Sequence, residues 1–164
     1  MPKTKTCFVL MPFGEKTDAA GQKIDFDEIY DYVIKPALEE MKITVIRCDE
    51  IPNAGSIHRD MLQHILWDDL AVVDLTTLNP NVFYELGVRH AVRRSGTILL
   101  RKKGTNIPFD IRGMRTFEYD LNPRAVAELK KTLLEVVKRA LSSTASDSLV
   151  YDTFPDLQVT PPTP

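Results

Sequence analysis

Five short strand-like runs punctuate the chain, and most are followed by stretches whose apolar residues recur every three to four positions. Thr6 to Met11 is almost continuously apolar and stops at Pro12-Phe13-Gly14, where proline and glycine break the pattern. After a polar loop expected to be mobile, Asp25 and Glu28 have the spacing of a capping box, and Phe26, Ile29, Tyr30, Val33, Ala37, Leu38 and Met41 fall on one helical face. Pro36 is expected to bend this helix without ending it. Ile43 to Arg47 reads as the second strand. A loop then leads to Ser56, a plausible cap for a helix carrying Ile57, Met61, Leu62, Ile65 and Leu66.

The third strand, Leu70 to Leu75, is apolar and β-branched apart from Asp74, as interior parallel strands are near their functional edge. Asn79 and Pro80 suit the cap and first position of the next helix. Thr97 to Leu100 gives a fourth strand, trailed by the basic loop Arg101-Lys102-Lys103-Gly104. Arg115 to Tyr119 gives a fifth, and Asn122-Pro123 opens a long helix with Val126, Leu129, Leu133, Val136, Val137 and Ala140 inward.

Strands alternating with helices require crossover connections, which predicts an α/β, flavodoxin-like three-layer sandwich with a five-stranded parallel sheet of order 2-1-3-4-5. In that order the ligand crevice lies outside the carboxyl ends of strands one and three. The segments predicted to line it run from Pro12 to Glu15, Asp49 to Ser56 and Asp74 to Glu85. Residues 1–142 form one domain. Residues 143–164 read as a tail or linker, flexible or docked through the apolar patch Leu149 to Phe154, with TPPTP as a spacer that could lead to another domain.

Composition narrows the function classes. With 164 residues, 43% hydrophobic and 27% charged, the chain is an ordinary globular domain, and a net charge of −2 offers no excess to track a phosphate backbone. Nucleic-acid and membrane partners are therefore not expected. Cys7 and Cys48 sit in apolar runs without metal-ligand spacing, as reduced thiols do, and the amino-terminal apolar run is too short for a signal peptide or membrane span. A cytoplasmic protein is the expectation.

Several common motifs are missing. No GxGxxG or GxxxxGK[ST] follows a strand, the first strand lacks the acidic pair of a phosphoacceptor receiver, and the hydroxyl-rich phosphate turn of flavodoxin is absent. His58, His64 and His90 have no ligand spacing, so no metal and no bound cofactor are expected.

Glu85 is the candidate for chemistry, and the residues alone leave two readings open. With Arg89 and Arg93 it forms a helical stripe at i, i+4 and i+8, which on a solvated face is an ion pair worth about 0.2–0.5 kcal/mol. Its position beside Asp74, Asn79 and Asn81, flanked by Phe83 and Tyr84, instead suits a crevice carboxylate facing a carbon that becomes oxocarbenium-like. Asp74 could likewise cap its own turn or bind a ribose hydroxyl. Ser56 could cap its helix and present backbone N–H groups to a phosphate.

The string DLTTLNPNVFYELGVRHA resembles the signature of bacterial TIR-like proteins related to nucleoside 2-deoxyribosyltransferases, and FVLMPFG, GSI at 55 to 57 and IPFDIRGMRTFEYD extend the resemblance along the domain. It implies a flavodoxin-like fold and N-glycosidic bond cleavage, either of NAD by a TIR-like enzyme or of a nucleoside or nucleotide by transfer or hydrolysis. Glu85 would be the nucleophile or oxocarbenium stabiliser. Asp74 would bind sugar hydroxyls, Phe13 and Gly14 would border the base or ribose, and Ser56 would lie near sugar or phosphate; Asp49, Asn79, Asn81 and Tyr84 complete the expected substrate-binding set. The resemblance also implies self-association into a homo-oligomer, a fused or associated sensor module and a role as an anti-phage effector domain. Arg89 and His90 depart from it by making the helix more basic in its second half. A non-catalytic nucleotide-binding or homotypic interaction module is the remaining alternative.

Overall fold

In the computed structural model, which describes residues 4–51 and 56–160, five parallel strands form one sheet. These are β1 (Thr6–Leu10), β4 (Thr44–Arg47), β5 (Leu70–Asp74), β6 (Thr97–Lys102) and β7 (Thr116–Tyr119), in the order β4-β1-β5-β6-β7. Counted along the sheet strands alone this is 2-1-3-4-5, the flavodoxin-like order expected from the alternation of elements. β1 pairs in parallel with both β4 and β5, so the chain reverses its direction of winding there.

The period of two along each strand divides the core into two layers. Cys7, Val9, Leu70, Val72, Ile98 and Leu100 pack under α1 (Phe26–Ile29), α2 (Lys35–Glu40) and α6 (Pro123–Ser142). Phe8, Leu10, Ala71, Val73 and Leu99 face α3 (Ile57–Trp67) and α4 (Pro80–Val92). Every residue of β5 is buried, because that strand has a neighbour on each side and a helix layer on each face.

Three local departures from the sequence expectations have physical causes. The loop after β1 is not irregular: β2 (Glu15–Thr17) and β3 (Lys23–Asp25) form an antiparallel hairpin, closed by Asp18, whose carboxylate accepts the Ala20 and Gln22 N–H groups. The hairpin is held to the end of β6 by a largely buried Asp18–Lys102 ion pair of 2.8 Å. Arg101 and Lys102 accordingly belong to β6 and not to a basic loop. Between α1 and α2, Tyr30–Ile34 forms a π-helical turn in which the Lys35 N–H reaches the Tyr30 carbonyl, and the widened turn precedes Pro36, which has no N–H to give.

The segment beyond α6 is partly folded onto the domain. Asp147 accepts the Gly96 and Thr97 N–H groups at 2.6 and 2.9 Å, the Ser148 hydroxyl donates to the His90 carbonyl at 2.7 Å, and Tyr151 of α7 (Leu149–Thr153) is buried against α4. Most of the TPPTP spacer lies outside the described residues. A short helix, α5 (Phe109–Arg112), bridges β6 and β7. Among the described residues no helix is long and apolar enough to cross a membrane.

Candidate active site

The carboxyl ends of β1, β4 and β5 bring together the turn Pro12–Gly14, the 3₁₀ turn Cys48–Glu50 and the start of α4. Asn79 caps α4 as its sequence suggests, accepting the Asn81 and Val82 N–H groups at 2.9 and 3.4 Å, and Pro80 occupies the first turn. This cap places Glu85 in the second turn. Its side chain is half-buried, and burial alone pushes its carboxyl up to about 7. Among the described residues it has no hydrogen bond or ion pair. Its charge acts on the half-buried Cys48, whose thiol is pushed up first by burial and then by the Glu85 carboxylate.

The surface ion pair that one reading of the sequence allowed is not formed. Arg89 is fully buried and donates to the carbonyls of Ile65 and Asp68 at 2.8 and 2.9 Å and, at 3.3 Å each, to those of Asp69 and Gly96. The guanidinium thus closes the end of α3, where carbonyls lack helical partners, and it outcompetes a pairing with Glu85 because it satisfies several acceptors at once. Burial, aided by the neighbouring Arg93, lowers its pKa to about 10, so it is protonated at neutral pH. Gly96 has φ +91 and a Cβ there would lie 2.4 Å from the Asp69 carbonyl oxygen, so the approach of these segments requires glycine.

Asp74 is placed differently. It is 1% exposed, and its carboxylate accepts the Thr76 N–H at 2.9 Å, the Thr76 hydroxyl, and the Tyr119 hydroxyl at 2.7 Å. Burial raises its pKa, while these hydrogen bonds pull the other way. The Thr76 hydroxyl also accepts the Lys102 N–H, tying the ends of β5, β6 and β7 into one network. This is the local, turn-capping arrangement of Asp74, extended by a tyrosine that no local pattern could reveal.

The remaining expected residues divide by exposure. Phe13 is 42% exposed and stacks on the Arg47 guanidinium 5.0 Å away; Gly14, at φ +63, donates its N–H to Asp27. Asp49 receives two hydrogen bonds from Arg47, at 2.7 and 2.6 Å. Asn81 and Tyr84 are exposed on α4. Ser56 precedes α3 but its side chain makes no capping bond, contrary to expectation; residues 52–55, part of the expected lining and of the GSI segment, lie outside the described residues. Arg47 and Cys48 were missed by sequence reasoning; the one available signal was a basic residue closing a strand beside the switch point.

Of the histidines, His58 is exposed, and His64 stacks on Phe8 and pairs with Asp68. His90 is buried, its pKa lowered to about 4 by burial and by Arg89. Among the described residues no cluster of His, Cys, Asp or Glu could hold a metal ion. A cavity of about 440 Å³ lies at the opposite edge of the sheet, near the amino ends of β6 and β7, between Ile98, Phe117, Val136 and Ala140. It contains neither Glu85 nor Asp74, whereas Glu85, without a hydrogen bond or ion pair among the described residues, stands at the carboxyl end of the sheet.

No protein-family model and no curated protein sequence matches the chain. Among solved structures it is similar to the CMP N-glycosidase BcmB of Clostridium botulinum, with 17% identity and a TM-score of 0.53 over 78% of this chain and 99% of that one. It is also similar to a flavodoxin-like domain from Synechococcus sp., with 8% identity and a TM-score of 0.51 over 85% of this chain and all of that one. At these identities the likeness is one of fold, and the fold is flavodoxin-like α/β.

Proposed function

We propose that the protein cleaves the N-glycosidic bond of a nucleotide, with Glu85 acting at the anomeric carbon. The observation that carries this reading is a half-buried carboxylate with no hydrogen bond or ion pair among the described residues, set at the switch point of a flavodoxin-like sheet. The fold likeness to a CMP N-glycosidase supports it, as does the resemblance of the segment bearing Glu85 to TIR-like and deoxyribosyltransferase sequences.

In this mechanism the ionised Glu85 oxygen bonds to the anomeric carbon as the C–N bond breaks. The bonding pair leaves with the base, which takes up a proton. Water then attacks the same carbon, yielding the free sugar phosphate and restoring the carboxylate. Burial suits both roles open to Glu85: a poorly solvated carboxylate is a better nucleophile and a stronger partner for developing positive charge. A nucleobase in place of water would attack the same carbon through its nitrogen, displace the Glu85 carboxylate and form a new N-glycosidic bond, which is transfer.

The TIR-like resemblance favours NAD as a second substrate. Nicotinamide leaves that molecule neutral and needs no proton donor. In that reading the chain works as a self-associating anti-phage effector under a sensor module, and activity appears at high protein concentration.

The test is incubation of concentrated protein with CMP, with NAD, and with a deoxynucleoside plus acceptor base, followed by product chromatography. Release of base or nicotinamide by the natural protein and its loss in a folded Glu85→Gln variant is the expected result. Saturable binding without product would replace the enzyme by a nucleotide-binding module, and undiminished turnover in the variant would remove Glu85 from the mechanism.

A further inference from the structure

Three segments at the carboxyl edge of the sheet are fastened by one side chain. The Arg47 guanidinium donates through Nε and Nη2 to Asp49 of the 3₁₀ turn, and Nη2 pairs at 2.8 Å with Asp27, in the first turn of α1. Asp27 in turn accepts the Gly14 N–H at 3.0 Å, which ties in the turn after β1. The guanidinium carbon lies over the Phe13 ring, 5.0 Å from its centre, and over the Tyr30 ring, 4.5 Å from its centre.

The neighbouring Glu50 completes the arrangement. It accepts from the Tyr30 hydroxyl, from Lys35 and from the backbone N–H of Arg47 itself.

For stability alone this is a poor construction. Arg47 is only 4% exposed, and its Nη1 is buried with no hydrogen-bond partner among the described residues. Its carboxylate partners Asp27 and Asp49 are substantially exposed, so the pairs return little for the desolvation of the guanidinium, and its presence needs a further reason. Phe13 supplies one, because its ring is held by Arg47 and is still 42% exposed at the switch point. A ring held from one side and open on the other is a stacking platform, and every nucleobase has a flat face to offer it. The Arg47 side chain lies with the α1 and α2 layer, whereas Glu85 comes from the α4 layer on the other face of the sheet, so the two approach the switch point from opposite sides.

We propose that Arg47 is a positioning residue for nucleotide binding: it fixes the Phe13 ring as the platform for the base and sets the orientation of Asp49, on the side of the switch point opposite Glu85. This inference rests on the N-glycosidase reading and adds a division of labour to it. One side holds the base and the other meets the anomeric carbon.

The experiment is a double-mutant cycle on the full chain with CMP as the probe, reading KM and kcat separately. Arg47→Lys keeps the charge but loses the fork and the flat face. Phe13→Leu removes the ring and leaves the contacts of Arg47 with Asp27 and Asp49 in place. Each single variant should raise KM about tenfold with kcat changed by less than about threefold, the size expected for loss of one base-stacking contact. The double variant should be no worse than the poorer single one, because both remove the same platform.

An unchanged KM in Arg47→Lys, additive KM losses in the double variant, or a loss confined to kcat would each overturn the inference. Should Arg47→Lys fail to fold, Phe13→Leu decides, and an unchanged KM there is equally fatal. Natural protein that neither binds nor cleaves CMP brings down the CMP reading first and this inference with it. That outcome is distinct from one in which the natural protein works and the variants work as well.

Discussion

Asp74 and Glu85 lie in one continuous segment, one closing β5 and the other early in α4, and burial raises the carboxyl pKa of both. They differ in what they touch. Asp74 accepts three hydrogen bonds and is sealed from solvent, whereas Glu85 has none among the described residues. Desolvation alone therefore does not mark a reactive carboxylate. A carboxyl group whose lone pairs are already taken up by Thr76 and Tyr119 serves the architecture, while one left without partners keeps them for a ligand.

The comparison breaks most easily at Glu85. Glu85→Gln keeps the shape of the side chain and removes its ionisation, so turnover of the substrate identified in the product assay should fall about 10³-fold or more while circular dichroism and substrate binding persist. A loss of only a few fold would mean that Glu85 is no more reactive than Asp74.

Asp74→Ala tests the other side. It leaves the Thr76 N–H, the Thr76 hydroxyl and the Tyr119 hydroxyl without their buried acceptor, and should cost about 3 kcal/mol in urea unfolding. Tyr119→Phe is the finer probe, expected to cost about 1 kcal/mol with KM unchanged. A clear rise in KM in Tyr119→Phe would show that this network orients Asp74 toward a sugar, as the family resemblance implies, and the contrast between the two carboxylates would narrow.

Much of this was legible in the sequence, and the misses share a cause. The sheet order follows from runs such as Leu70 to Leu75 and from the helices between them, because burial on both faces requires continuous apolar strands. The Asn79-Pro80 cap, and hence the turn on which Glu85 stands, could be read locally. The β2–β3 hairpin could not: its strands are three residues each, mostly polar, with only Ile24 buried, and its anchor is Lys102, far along the chain. Arg89 looked like a surface partner of Glu85 because i+4 spacing is a local clue. Its real acceptors, the carbonyls ending α3, are a tertiary fact, although its place beside Val82, Leu86 and His90 on the buried stripe was a signal. Arg47 had no local pattern at all, since its partners come from the turn after β1, from α1 and from the 3₁₀ turn.

The smallest expected effect is the most specific to Glu85. A carboxyl whose pKa is about 7 in the folded protein, against an ordinary value of 4.5 in the unfolded chain, binds more protons folded than unfolded between those limits. Its contribution to stability must therefore fall as pH rises from about 4.5 to about 7 and stay at its lowest above that. Glu85→Gln removes the cost of a buried charge at high pH and nothing at low pH. With the side chain only partly buried, the gain at pH 8 should be on the order of 1 kcal/mol, ~2–4 °C in Tm for a chain of this size. At pH 4 the two proteins should melt together. Asp74 also has a raised pKa, but its slope survives in the Glu85→Gln variant, so the difference between the two melting curves belongs to Glu85. The same ionisation should appear as an acid limb in kcat/KM near pH 7, because the carboxylate is the form that meets the anomeric carbon. A variant that melts above the natural protein equally at pH 4 and pH 8 would show that the gain comes from packing, and the ionisation of Glu85 would lose its claim to the site.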